Sequence, residues 1–182
     1  MRTTPPAVTR KHASLTLWVH GQSVVPFDDA IDADDASRRP GTAYLLGRKE
    51  GWGSAFPLDP AYSAERWFQI PIPTPISIDS VALYLDEITI LFRTDWESAG
   101  IAQLDLWDGP NKPGVTNKFE SLLSGDHTAP NRTPGKGNRW RPRLAQSKPL
   151  QIKYALNVSV LVKCTQKSSI VFCAAGADFV SE

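Results

Sequence analysis

Two cysteines, three histidines and one methionine in 182 residues leave little from which to build a metal site or a disulfide framework. Cys164 and Cys173 lack the paired short spacings of a four-ligand zinc site, and two reduced, core-filling thiols are the preferred reading over a Cys164–Cys173 disulfide. No run approaches the roughly 18 apolar residues of a membrane span, so no membrane partner is expected. Met1 to Ser14 is polar and basic, with no apolar h-region behind it, and reads as a loose arm rather than a secretory signal. The expected location is the cytoplasm, or outside the cell after release without a signal peptide. No internal repeat, no Ser or Cys nucleophile motif and no RNA-module signature is found, and nothing calls for a cofactor.

What is present favours strands. The 15 prolines and 12 glycines punctuate the chain too often for long helices. At this length one domain suffices, burying about 70% of its unfolded surface without staples. Ser14 to Val19 alternates and ends at His20-Gly21, and Gln22 to Phe27 continues it after a bulge. Asp28 to Gly41 is a polar loop, Thr42 to Leu46 a short strand and Gly51-Trp52-Gly53 a tight turn. Asp59-Pro60 has the form of an N-cap followed by proline, predicting a helical turn through Ala64. Trp67 to Ile72 is a strand at a sheet margin, because Pro71 and Pro73 cannot donate to a ladder.

Between Val81 and Phe92 the apolar parity switches from odd (Val81, Leu83, Leu85) to even (Ile88, Ile90, Phe92). That predicts a bulge or irregular bend at Asp86-Glu87 and argues against one long central strand. Ile101 to Trp107 is another strand, and Asn117 with Glu120 predicts a capped helical turn. Residues 124–149 form a long loop, and Leu150 to Cys164 pairs with Ile170 to Val180 as a hairpin. The sum is an all-β chain: an arm at 1–13, then a single antiparallel β-sandwich or jelly roll of about eight strands over 14–182. A closed β-barrel is the alternative.

Leu17-Trp18-Val19-His20-Gly21, Ile72-Pro73-Thr74-Pro75, Leu91-Phe92-Arg93-Thr94, Trp107-Asp108-Gly109-Pro110, Gly125-Asp126-His127, Ala155 to Val160 and Ala175 to Phe179 stand in a recognisable order. In these the chain resembles a group of small uncharacterised microbial all-β proteins, from Ser14 to Phe179. The resemblance implies a single β-domain and carries no activity with it.

The candidate chemistry is sparse. Asp28, Asp29, Asp32, Asp34 and Asp35 invite a cation, but Ala36 breaks the EF-hand pattern counted from Asp32, so a solvated acidic loop is preferred. Asp126-His127 offers an acid/base pair, although adjacent side chains rarely point the same way. Among the tryptophans, Trp18 and Trp67 read as core. Trp52, Trp96, Trp107 and Trp140 fall at strand ends or in loops, where indoles beside polar residues can stack a sugar. Lys136, Arg139, Arg141, Arg143 and Lys148 surround Trp140, yet a net charge of +1 argues against nucleic acid as the partner.

Residues 13–111 carry 6 basic and 15 acidic side chains (−9), and residues 112–148 carry 8 and 2 (+6), an asymmetry that can steer self-association unless the strands interleave the two segments. The leading expectation is a non-catalytic, lectin-like binding or assembly module for a glycan or protein surface. Its ligand-binding residues would be Trp52, Trp96, Trp107, Asp108, Asp126, His127 and Trp140, with Trp107 and Trp140 at one end of the sandwich. One alternative is a small cofactor-free enzyme using His127 and Asp126. The other is a structural subunit of a homo-oligomeric particle or filament.

Overall fold

In Ser14-Leu15-Thr16-Leu17-Trp18-Val19-His20 the aliphatic residues share one parity. In the computed structural model the stretch is strand β1 (Ser14–His20), with Leu15, Leu17 and Val19 packed on the core. The described residues are 14–27, 47–78, 80–95, 97–113, 116–125 and 150–181. The arm, the 28–41 loop, the Thr42–Leu46 stretch and 126–149 lie outside them. After β1 come a 3-10 turn (Gly21–Ser23), β2 (Val25–Phe27), β3 (Arg48–Glu50), β4 (Gly53–Leu58) and β5 (Glu65–Ile72). Then follow β6 (Ser77–Ile78), β7 (Val81–Ala82), β8 (Tyr84–Thr94), β9 (Ala99–Asp108) and β10 (Thr116–Leu123). Short β11 (Leu150–Gln151) precedes β12 (Leu156–Cys164) and β13 (Ser168–Val180). Short strands raise the number among the described residues to thirteen, above the eight expected.

These strands form two antiparallel sheets packed as a sandwich. The first has the order β11-β8-β13-β4-β3 with β1 also on β13, and the second has the order β10-β9-β12-β5-β2. No pairing joins the two sheets among the described residues, so the barrel alternative is set aside. A separate ribbon pairs β6 with β7. Phe56 (β4) and Phe172 (β13) from the first sheet meet Phe68 (β5) from the second, with ring centroids 4.8 Å and 5.2 Å from that of Phe68. All three rings are fully buried, each contributing roughly 2–3 kcal/mol. Arg66 also lies inside: its guanidinium sits 5.3 Å from the Phe68 ring centroid and donates to the Pro57 carbonyl at 3.1 Å, tying β5 to β4.

The parity switch in β8 is a bulge. Asp178 pairs with Glu87 and Phe179 with Leu85, so Asp86 is the extra residue, and Leu85 and Ile88 both reach the core. The strand nevertheless runs unbroken from Tyr84 to Thr94, so it is one long strand after all. On β5, β2 stops opposite Gln69, leaving Ile70–Ile72 paired only with β12, and Pro71 sits in that margin as expected.

Four local expectations are corrected, one of them in part. Gln22 to Phe27 does not extend β1; the 3-10 turn carries the chain across to the second sheet, where β2 pairs with β5. Asp59-Pro60 makes its cap and a single turn, with the Ala61 N–H on the Asp59 carboxylate and the Tyr62 and Ser63 N–H groups on its carbonyl, but no helix follows and the chain enters β5. The Ala61 N–H holds the Asp59 carboxyl below its ordinary range, opposed by burial and aided by the Lys167 ammonium. Thr116–Leu123 is strand, because pairing with β9 outweighs the local Asn117 capping signal.

Finally, β12 and β13 are not a hairpin. Both edges of β12 are taken by β5 and β9, and those of β13 by β8 and by β4 with β1, so the two strands lie in opposite sheets. Cys164 is therefore in one sheet and Cys173 in the other, and neither forms a disulfide. Cys164 is buried, and burial pushes its thiol up, away from nucleophilic use.

The seam between β1 and β4 on β13 depends on glycine. A Cβ on Gly21 would lie 1.9 Å from the Phe172 carbonyl oxygen, and one on Gly53 2.3 Å from the same atom. Gly21→Ala is expected to lose about 3 kcal/mol in urea unfolding. Gly51→Ala, where an added Cβ meets nothing within 4 Å, is the control. Equal midpoints for the two variants would contradict the seam.

Candidate functional site

The outward parity of the first sheet sets out three neighbouring rows across β1, β13 and β8. Trp18 pairs with Gly176, and Gly176 with Thr89. His20 pairs with Ala174, and Ala174 with Leu91. Val171 pairs with Arg93 and, on its other side, with Ala55 of β4. Because Ile88, Ile90 and Phe92 fill the core, Thr89, Leu91 and Arg93 face outward.

Two tryptophans lie on this face. A Cβ on Gly176 would come 2.6 Å from Trp18 Cδ2, so only glycine leaves the indole room to lie on the sheet there. Trp18 is nonetheless 44% exposed, which corrects its expected place in the core. Trp52 occupies the β3–β4 turn, and the Arg93 guanidinium lies 4.6 Å from its ring centroid. Arg93 is on β8, across β13 from that turn, so the contact spans the outer surface of β13. Val171, outward by parity, is accordingly 3% exposed, while Trp52 keeps 45% of its surface open. Trp18 lies over Gly176 and the Trp52–Arg93 contact over Val171; the matching residues of β8, Thr89 and Arg93, are four apart, roughly 13 Å at the rise of an extended strand.

Between them stands exposed His20. Its Nδ1 accepts the Gln22 N–H at 3.2 Å, so in the neutral ring the proton sits on Nε2, free to donate outward. Gln22 Nε2 donates to the Glu50 carbonyl at 2.7 Å, tying the end of β1 to the Trp52 turn. The carboxylates around the face are engaged: Asp178 with Thr16, Glu50 with Arg48, Asp95 with Ser169 and Glu87 with Thr89. Among the described residues no oxygen accepts a hydrogen bond from Arg93, whose guanidinium is positioned by stacking on Trp52.

Trp107 is on the other side of the molecule. It pairs with Asn157 in the second sheet, with outward parity, so Trp52 and Trp107 belong to different faces. That outer face mixes apolar and polar side chains: Val25 and Phe27 stand exposed on β2, opposite Gln69 and Trp67, while the polar residues between β5, β12 and β9 bond to one another. Gln69 Oε1 accepts from Asn157 and from Ser159, and Asp105 accepts from Gln103 at 3.0 Å and Lys112 at 2.6 Å. Lys112 also lies 5.5 Å from the Trp107 ring centroid.

Asp108 points inward and acts as a latch. Its carboxylate accepts the Lys153 and Tyr154 N–H groups at 2.9 Å and 2.7 Å, fixing the entry to β12, while the Gly109 N–H donates to the Ala155 carbonyl. Trp96, Asp126, His127, Trp140 and the five aspartates at 28, 29, 32, 34 and 35 lie outside the described residues. So does the pairing of Trp107 with Trp140. Trp18, Arg93 and His20 were missed by sequence reasoning, although Trp18 shares its parity with Ser14, Thr16 and His20.

Fold and face together define an all-β sandwich with two half-exposed tryptophans on the outer face of one sheet. No family model, curated protein or solved structure matches this chain. Among the described residues no three His, Cys, Asp or Glu side chains gather as a metal site requires, and no helix is long and apolar enough to cross a membrane.

Asp108→Ala strands two backbone donors and is expected to cost about 2–3 kcal/mol, read as a lowered thermal midpoint. An unchanged midpoint would contradict the latch.

Proposed function

We propose that this protein is a non-catalytic binding module that takes a glycan chain on the outer face of its first sheet. The observation that carries the reading is the pair Trp18 and Trp52: two indoles on one sheet face, each nearly half exposed and each held by a specific neighbour. A pyranose ring presents an apolar face of C–H bonds that suits the electron-rich face of an indole, and its hydroxyls need donors and acceptors at the rim. His20, Arg93 and the backbone at the strand ends supply that rim. The spacing along β13 suits two non-adjacent sugar units of an extended chain rather than a single deep-seated ring.

This reading keeps the lectin-like function expected from the loop tryptophans and moves its centre from loop ends to a sheet face. Of the expected residues it retains Trp52 as a contact and gives Asp108 a supporting role in the scaffold. Membership of the group of small microbial all-β proteins remains part of the same proposal and adds no ligand.

The test is calorimetric titration of the full chain with a panel of soluble oligosaccharides. Trp18→Ala and Trp52→Ala should each weaken binding at least about tenfold, the scale of a lost aromatic anchor. Tyr62→Ala, in the turn before β5, should leave it unchanged. Binding that ignores both tryptophan substitutions, or no binding across the panel, would overturn the proposal.

A further inference from the structure

From the same face, and resting on the glycan reading, we infer that the preferred ligand is an acidic glycan whose carboxylate or sulfate is gripped by Arg93. The guanidinium is held in place by the Trp52 ring beneath it at 4.6 Å, so its orientation is set before a ligand arrives. Among the described residues no oxygen accepts from it. Of the nearer carboxylates, Glu50 pairs with Arg48 and Asp95 accepts from Ser169. A planar fork of N–H donors stacked over part of a half-exposed indole matches the acidic group of a sugar bound along the same face, because a bidentate pair fixes direction as well as charge. His20, one row along, adds its Nε2 donor on the line from Arg93 towards Trp18. A ligand lying across the face thus meets stacking at two points and an anion grip at one end.

Three soluble probes separate this inference from the function it rests on: an oligouronate, its fully methyl-esterified form and a sulfated oligosaccharide. Each is titrated into the full-length protein and into Arg93→Gln, Arg93→Lys and the Trp18→Ala/Trp52→Ala double variant. The inference expects at least one acidic probe to bind about tenfold more tightly than the methyl ester, a preference that shrinks as added salt shortens the screening length. The acidic arm that binds more tightly identifies the group as carboxylate or sulfate. Arg93→Gln should bring the acidic-to-neutral ratio close to one, and Arg93→Lys should keep part of it as a point charge. Equal, tryptophan-dependent binding of acidic and neutral probes would overturn the inference and leave the glycan reading intact. Failure of every probe to bind in a tryptophan-dependent way would overturn both. Tighter binding of a single-stranded oligonucleotide, run alongside, would overturn the acidic-glycan assignment in favour of base stacking.

Discussion

The hydrogen-bond ladders on the two edges of β13 are the constraint from which the rest of the first sheet follows. One edge is filled by β8 along almost the whole strand, and the other is shared end to end by β4 and β1. Two strands can share one edge only if the chain leaving β1 and the turn entering β4 both press against the same carbonyl. Gly21 and Gly53 allow that approach to Phe172. Next to this seam β13 is bulged: Phe172 pairs with Phe92 and Ala174 with Leu91, leaving Cys173 as the extra residue. The geometry also arranges the outer face. It brings the end of β1, with Trp18 and His20, beside the turn that carries Trp52, although the residues are more than a full strand apart in sequence.

The two faces of the sandwich solve the problem of outward side chains differently. On the second sheet, Gln69, Asn157, Ser159, Asp105, Gln103 and Lys112 bond to one another, and the exposed apolar residues, Val25 and Phe27, lie on the β2 margin. On the first sheet the large outward side chains are aromatic or cationic, and what holds them is stacking on glycine or on one another. With these contacts in place Trp18 is 44% exposed and Trp52 45%.

Much of the scaffold was legible in the sequence because strands write their faces into alternate residues. Leu15, Leu17 and Val19 declared the inner face of β1, and the shift from Leu85 to Ile88 declared the bulge at Asp86. The same rule would have placed Trp18 outside, had parity been set above the general tendency of tryptophan to be buried in strands. Other features were not legible for physical reasons. Thr165 to Lys167 is a short link that serves a hairpin and a sheet-to-sheet crossing equally well; the choice depends on which edges are occupied by strands far away in sequence. Asn117 carried a local capping signal that pairing with β9 outweighed. The Trp52–Arg93 contact spans β13 and had no trace in local spacing, and the same is true of the latch between Asp108 and Lys153–Tyr154.

The proposed function requires that Trp18 and Trp52 contact one and the same ligand. Its most direct measurement is the set of indole N–H resonances of the six tryptophans, followed by nuclear magnetic resonance as an oligosaccharide is titrated into the protein. The account predicts that the Trp18 and Trp52 signals move together along one saturation curve while that of Trp107, on the opposite face, stays in place. Movement of Trp107 with Trp18 and Trp52 unchanged would contradict it.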